Sequence, residues 1–371
     1  MKSRTIVLIA STSNFSPANY LIESFREIGY KVFVISDVRG PHTDLAARGG
    51  VNLKKILREY EISPELILFI EGGKMGVFPI YFDQLSCPKF WWGIDTHNDY
   101  QKHLRISRLF DHTFVAQKSY VDLLSSDGIA SVSWLPLAYP SRGIGTNKKV
   151  IDVSYVGSRN WSLYPERGEL LEALNAEFSN ILIDSRPPKE MLEIYRNSKV
   201  VFNHSLKNDI NMRYFEAMGS GALLCTNEIL SNGLEDLFIV GEDLIVYRDK
   251  LDLVMLVRGM LAQPDRLEEI ANNGMKKVRN FHTYDHRAAE IVAKSNQAFP
   301  RSAPDSFAFS GALLSMGFIS DAFSHFFKAA RRESRGVKNR FILSLLRPLI
   351  QLIILVARLV ENLAKQVRSI L

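Results

Sequence analysis

Runs of consecutive apolar residues alternate along the chain with stretches in which apolar side chains recur every three or four positions. "TIVLIA" (5–10) leads into "ANYLIESFREIGY", whose apolar residues fall at helical spacing, and then into "KVFVIS" (31–36), which is a βαβ opening. Further runs follow at "LILFI" (66–70), "KFWWGI" (89–94), "HTFVA" (112–116) and "VSWL" (132–135). Strands that read as unbroken apolar runs with helix-sized spacers predict a parallel sheet covered on both faces. After "LPLAYPSRGIGTNKK" (135–149), a linker bearing Pro, Gly and Lys, the pattern restarts at "VIDVSYVGS" (150–158). It continues through a helix near 165–178, "NILID" (180–184), a helix near 188–198, "KVVFN" (199–203), "ALLCT" (222–226) and "DLIVYR" (243–248). The restart predicts two doubly wound α/β domains, 1–140 and 150–297, with ligands held at the carboxyl ends of the strands facing the cleft. Residues 298–371 are expected to form a helical extension.

Composition agrees with two cores: 371 residues at 46% hydrophobic content exclude a chain disordered throughout. Cys87 and Cys225 lie far apart, so no disulfide framework is implied; both are expected to be buried thiols in a reducing compartment. The apolar run in "MKSRTIVLIASTSN" is too short for a signal-peptide core and reads as the first strand. The net charge of +6 belongs to the tail: residues 331–371 carry nine Lys or Arg against two Glu, a net of +7, so residues 1–330 sum to −1. A nucleic-acid partner is not expected, since the tail lacks interleaved aromatics beyond Phe341.

Neither half carries G-x-G-x-x-G or a Walker A lysine motif, which counts against dinucleotide oxidoreductases and P-loop NTPases. The chemistry concentrates instead in "NHSLKNDINMRYFEAMGSGALLCTNE" (203–228). On a helix, Asp209, Arg213, Glu216 and Ser220 fall within about 60° of arc, with Met212, Phe215 and Met218 in sectors that can bury. Asn208 or Asp209 can cap the helix start, and the first-turn amides then offer an anion site suited to a diphosphate. A carboxylate further along can accept two hydrogen bonds from a vicinal diol such as a ribose. Gly219 and Gly221 let the chain leave the helix tightly and bring backbone close to a ligand. The plainer alternative is a solvated helix face with an Arg213–Glu216 surface pair.

Elsewhere, "VGSRNWSLYPERGELL" (156–171) places Ser158 and Arg159 at a strand end and Arg167 just inside a helix, where cations can meet a diphosphate. "WWGIDTHNDY" (91–100) delivers Asp95 and His97 to the cleft side, as candidates to assist an acceptor hydroxyl or, alternatively, to brace the cleft. Glu71, following the strand at 66–70, is a further base candidate, and "STSN" (11–14) is a polar loop near the acceptor side. His282 and His286 have helical spacing without a third ligand nearby, and the local sequence better fits a helix start after Thr283. No metal site is expected.

The stretch "FNHSLKNDINMRYFEAMGSGALLCT" resembles the nucleotide-sugar motif of group-1 glycosyltransferases with the GT-B fold, in the branch of the spore-maturation-type proteins. The resemblance extends to "DHTFVAQKSYVDLL", "WLPLAYP", "DVSYVGS" and "FHTYDHR" (281–287), covering residues 85–297. It implies that Glu216 binds the ribose hydroxyls, that the segment bounded by Gly219 and Gly221 lies close to the donor, and that Asn208, Asp209, Arg159 and Arg213 sit near the diphosphate or sugar. Many relatives carry a glutamate eight residues before the ribose ligand; here Asn208 stands there with Asp209 beside it, which leaves the donor sugar open. The implied protein is a metal-independent, hexosyl-transferring enzyme of bacterial glycan biosynthesis. It would need no cofactor beyond a UDP- or GDP-linked sugar donor, with a glycan, lipid-linked or protein acceptor. The alternative is a non-catalytic GT-B-like surface or spore-coat assembly protein.

Beyond the resemblance, "NRFILSLLRPLIQLIILVARLVENLAKQVRSIL" (339–371) puts Arg340, Ser344, Arg347, Gln351, Arg358, Asn362 and Lys365 within about 80° of a helical wheel. Its longest charge-free run is too short for a membrane span. A basic amphipathic helix of this kind suits the surface of an anionic membrane, hence a cytoplasmic protein peripheral at the inner face, or else a seam in a homo-oligomer.

Overall fold

The computed structural model describes residues 4–71, 75–83, 85–140, 145, 148–297, 306–315, 322, 323 and 326. The first half runs β1 (Thr5–Ile9), α1 (Pro17–Glu27), β2 (Lys31–Ser36), β3 (Leu45–Ala46), β4 (Gly49–Asn52), α2 (Leu53–Glu59), β5 (Leu66–Ile70), β6 (Val77–Ile80), β7 (Lys89–Gly93), α3 (Tyr100–Ser107), β8 (His112–Val115), α4 (Ser119–Ser126) and β9 (Val132–Trp134). Seven of these strands form a parallel sheet in the order β3-β2-β1-β5-β7-β8-β9, and β4 pairs separately with β6. Every residue of β1 and β5 is buried because the sheet is covered on both faces. Ile6 and Leu8 pack with Leu21, Ile22 and Phe25 of α1, whereas Val7 and Ile9 pack with Leu53 of α2, Phe78 and Leu109.

The second half runs β10 (Ile151–Val156), α5 (Pro165–Glu177), β11 (Ile181–Asp184), α6 (Pro188–Arg196), β12 (Ser198–Phe202), α7 (Met212–Gly219), β13 (Leu223–Asn227), α8 (Leu234–Leu237), β14 (Ile245–Tyr247), α9 (Lys250–Leu261), α10 (Pro264–Phe281) and α11 (Tyr284–Ser295). Its sheet is parallel, in the order β11-β10-β12-β13-β14. Two doubly wound Rossmann-like sheets therefore stand in one chain. In each, the strand order reverses beside the first strand, between β1 and β5 and between β10 and β12, and the carboxyl ends there open a crevice.

The chain crosses between the sheets twice, side by side. The Tyr139 N–H donates to the His282 carbonyl (2.8 Å) and the Tyr284 N–H donates to the Tyr139 carbonyl (3.0 Å). Buried Arg287 pins the crossing by donating through Nε to the Pro136 carbonyl (2.7 Å) and through Nη2 to the Leu137 carbonyl (3.3 Å). Thr283 caps α11 in a capping box with His286, the helix start expected from "FHTYDHR". From there α11 returns to α1, where Tyr284 stacks on Tyr20 at 5.3 Å.

Gly219 and Gly221 serve this framework. Gly221 has φ +82°, in the left-handed region. A Cβ on Gly219 would lie 2.4 Å from the ring of fully buried Tyr139, so the close approach is to the crossing segment. Gly219→Ala is expected to destabilise the protein by about 1–3 kcal/mol through overpacking, read as a lowered urea midpoint; an unchanged midpoint would show that the crossing yields without cost.

Beyond α11, helix α12 (Ser306–Ser315) packs on α3, and Phe309, Leu313 and Ala322 fill the core beside Val77, Phe82 and Trp91. The expected amphipathic helix at 339–371 lies outside the described residues. Among the described residues, no helix is long and apolar enough to cross a membrane.

Candidate functional site

A cleft of about 810 Å³ lies where the two crevices meet. The chain after β1 contributes Phe15 and α1 contributes Tyr20; the chain after β10 contributes Gly157, Ser158, Arg159 and Asn160. Arg167, Ser185, Arg186, Pro188 and Met191 extend one wall, and Asn211, Met212, Arg213 and Glu216 form another.

Among the described residues, Glu216 is the one carboxylate lining this cleft. It is 6% exposed, and its side chain has no hydrogen-bond partner among the described residues. Burial pushes its carboxyl up to about 7, against the opposing pull of Arg213. Its charge also raises the hydroxyls of Tyr20, Tyr195 and Tyr284, after burial itself. An unpaired acceptor this enclosed suits a ligand that brings hydroxyl donors. It also has a stability cost: the folded protein holds the Glu216 proton more tightly than the unfolded chain, so stability present below about pH 4.5 is lost as pH rises through about 7. Glu216→Gln is therefore expected to stabilise the ligand-free protein by up to about 3 kcal/mol at pH 8 and by little at pH 4.5, in denaturant titrations at both. Equal stability of the two proteins at pH 8 would contradict it.

Arg213 does not form the surface pair that the sequence allowed, nor does it offer its whole fork to a ligand. Its guanidinium lies 4.6 Å over the Tyr155 ring and donates to the Tyr195 hydroxyl (3.1 Å), Asn203 Oδ1 (2.7 Å) and the Val156 carbonyl (2.9 Å). Gly157 makes room for it, since a Cβ there would sit 2.6 Å from Arg213 Nη2. Arg213 thus braces the cleft wall behind Glu216. Ser158 and Arg159 are exposed at the carboxyl end of β10, where the backbone N–H of Ser185 and the side chain of Arg186 lower the Asp184 carboxyl and the Arg159 charge adds to the effect. Buried Arg167 lies 4.6 Å over the Tyr164 ring and donates to the Tyr155 hydroxyl (3.3 Å) and the His204 carbonyl (3.1 Å), leaving its Nε without a partner.

Asn208 and Asp209 depart from expectation. Lys207 and Asn208 adopt positive φ (50° and 60°), a tight turn that delays the helix, and Asn211 is the residue that caps α7, accepting from the Arg213 N–H (3.1 Å). The Asn208 side chain accepts from the Leu230 N–H (2.7 Å) and donates to the Leu230 carbonyl (2.5 Å), so it braces the 228–232 loop rather than facing a diphosphate. Asp209 does not line the Glu216 cleft; its Oδ1 accepts from Gln117 Nε2 (2.9 Å), in the company of Asp95 and His97. Burial raises its carboxyl, with Gln117 and His97 opposing and Asp95 adding to the rise.

Asp95 and His97 sit on the loop after β7 and also lie outside the Glu216 cleft. The structure joins them to the 207–209 turn: Lys207 Nζ donates to Asn98 Oδ1 (2.9 Å) beside the Gln117–Asp209 bond. His97 Nδ1 is buried without a partner. Two clusters result, an arginine-walled cleft around Glu216 and an acid–base cluster of Asp95, His97 and Asp209 between the halves. Sequence reasoning missed Phe15, Tyr20, Arg186 and Met191 in the first cluster; their positions just beyond β1 and β11 or on the following helices were the available signal.

Cys225 is buried with its thiol pushed up by burial, and Cys87 is half-buried. Among the described residues, no group of three His, Cys, Asp or Glu is placed to hold a metal ion.

The architecture is that of the GT-B proteins. An α-glucosyltransferase solved with UDP and a 13-mer DNA containing an HMU base superposes with TM-score 0.56 at 9% identity, over 80% of this chain and 100% of that one. Sucrose-phosphate synthase from Thermosynechococcus elongatus gives 0.53 at 13% identity, over 78% and 98%. Anabaena HepE in complex with UDP and glucose gives 0.52 at 10% identity, over 80% and 100%. In sequence, residues 146–293, which hold the whole Glu216 wall, match the family described as glycosyl transferase-like. Among curated proteins none matches the chain significantly.

Proposed function

We propose that the protein transfers a sugar, of the hexosyl type, from a UDP- or GDP-linked donor to a hydroxyl-bearing acceptor. The observation that carries this reading is the buried, unpartnered Glu216 carboxylate facing an arginine-bearing cleft within a segment that matches the glycosyl transferase-like family. Glu216 accepts hydrogen bonds from the two ribose hydroxyls. Arg159 and the Nε of Arg167 meet the diphosphate, with Ser158 beside them. Asp95 or His97 takes the proton of the acceptor hydroxyl as the sugar is transferred. The chemistry asks for no resident metal, since the cationic wall can stabilise the departing diphosphate. That HepE was solved with UDP and glucose, and the α-glucosyltransferase with UDP, supports UDP as the first nucleotide to try.

The test is a thermal-stability screen of UDP- and GDP-linked sugars, followed by assay of nucleoside diphosphate release with glycan, lipid-linked and protein acceptors. Stabilisation by one donor class, then turnover, is expected. A donor that binds but is never turned over would support a non-catalytic assembly protein instead, and no stabilisation by any donor would defeat the reading.

A further inference from the structure

Glu71 follows β5 directly and is 2% exposed. β5 and β7 run parallel with Ile70 opposite Trp92, so the chain leaves both strands side by side. From there the Glu71 carboxylate reaches under the loop that carries Asp95 and His97. Its Oε2 accepts from the backbone N–H of Ile94 (3.1 Å) and of Asp95 (2.8 Å), and its own N–H donates to the Trp92 carbonyl (3.0 Å). Hydrogen bonds to a buried carboxylate are charge-assisted, and two successive amides aimed at one oxygen fix the backbone between them.

The same loop is held from two other directions. Buried His103 on α3 meets Thr96 Oγ1 through Nδ1 (3.1 Å), and Thr96 Oγ1 donates to the Gly93 carbonyl (3.4 Å). His103 is kept neutral by burial, its pKa lowered to about 3. Gly93 permits this packing, because a Cβ there would lie 2.9 Å from the Trp91 ring and 3.1 Å from His103 Nδ1. Gln117 donates to the Ile94 carbonyl (2.6 Å) with the same Nε2 that meets Asp209. A general base has to come within hydrogen-bond reach of the proton it removes. Glu71 is enclosed beneath the loop, where its Oε2 meets the two backbone amides and lies 3.8 Å from His103 Nε2, a ring that burial keeps neutral.

We propose that Glu71 is a positioning residue for the acceptor side: its carboxylate anchors the Ile94 and Asp95 amides and so sets where Asp95 and His97 stand between the two halves. The inference rests on the reading of Asp95 and His97 as the acceptor-side pair. It separates geometry from charge, since Glu71→Gln keeps an oxygen for both amides while Glu71→Ala removes it.

In the full-length protein, Glu71→Ala is expected to slow sugar transfer by about 10²-fold with donor affinity unchanged, as small misplacements of catalytic groups do. Hydrogen exchange at residues 94 and 95 should quicken in the same variant. Glu71→Gln should stay within a few-fold of the parent in turnover and keep those amides protected. If Glu71→Gln loses as much turnover as Glu71→Ala while its amides stay protected, the carboxylate itself acts in the chemistry and the proposal is overturned. Unchanged exchange in Glu71→Ala overturns it too. If exchange quickens in Glu71→Ala but Asp95→Asn and His97→Ala both turn over normally, the anchoring stands and the acceptor-side reading alone falls.

Discussion

Glu216→Gln is expected to weaken binding of the best nucleotide sugar by about 10²-fold or more. Hydrogen bonds to a charged acceptor contribute roughly 1.5–3 kcal/mol each, and the amide keeps one oxygen but loses the charge that lets a carboxylate accept both ribose hydroxyls. The pH dependence should change with it. In the free protein the carboxyl stands at about 7, and only the ionised form accepts two donors, so parent affinity should rise as pH climbs through about 7 and then level off. The Gln variant should show no such rise. Calorimetric titration from about pH 5.5 to 8.5 reads both effects. Parent-like affinity in the variant would remove Glu216 from the ribose. A flat parent profile would mean that the carboxylate is already ionised, or not engaged, at the low end.

The second large effect concerns turnover. Asp95→Asn or His97→Ala is expected to reduce transfer by about 10²- to 10⁴-fold while leaving donor affinity near the parent value, because general-base assistance acts on the acceptor. The separation of the two clusters makes this a sharp test: neither residue lines the Glu216 cleft, so donor binding is an internal control. Parallel loss of affinity and turnover, or no loss of either, would return the loop to a bracing role.

Both clusters were only partly legible in the sequence. Continuous apolar runs announced β1 and β5 because strands buried on both faces carry no alternation to misread. The short pair β4 and β6 escaped, since two four-residue strands leave almost no period. Glu216 was legible from its helix. Asp209 was placed on that helix by a wheel that assumes helical φ from residue 209 onward, but the left-handed turn at Lys207 and Asn208 leads into an extended cap at Asn211, so the helix starts only at Met212. That turn sends Asp209 to Gln117, a residue 92 positions earlier that no periodicity could pair with it. Of the two glycines marked for close approach to a ligand, Gly219 closely approaches Tyr139, a contact made only once the two crossings lie side by side.

The docking of α11 on α1 also dictates a timetable. A ribosome releases α1 almost at once, yet the helix that covers Tyr20 begins at residue 284, after every strand of both sheets has emerged. Domains usually mature as units, N-terminal first, during synthesis. Here the N-terminal sheet can pair its strands early, but the outer face of α1 stays bare until the C-terminal half has been made and has returned across the gap. A nascent chain stalled before residue 284 should therefore expose that face to chaperones, and the molecule becomes finished at its beginning only when it is nearly finished at its end.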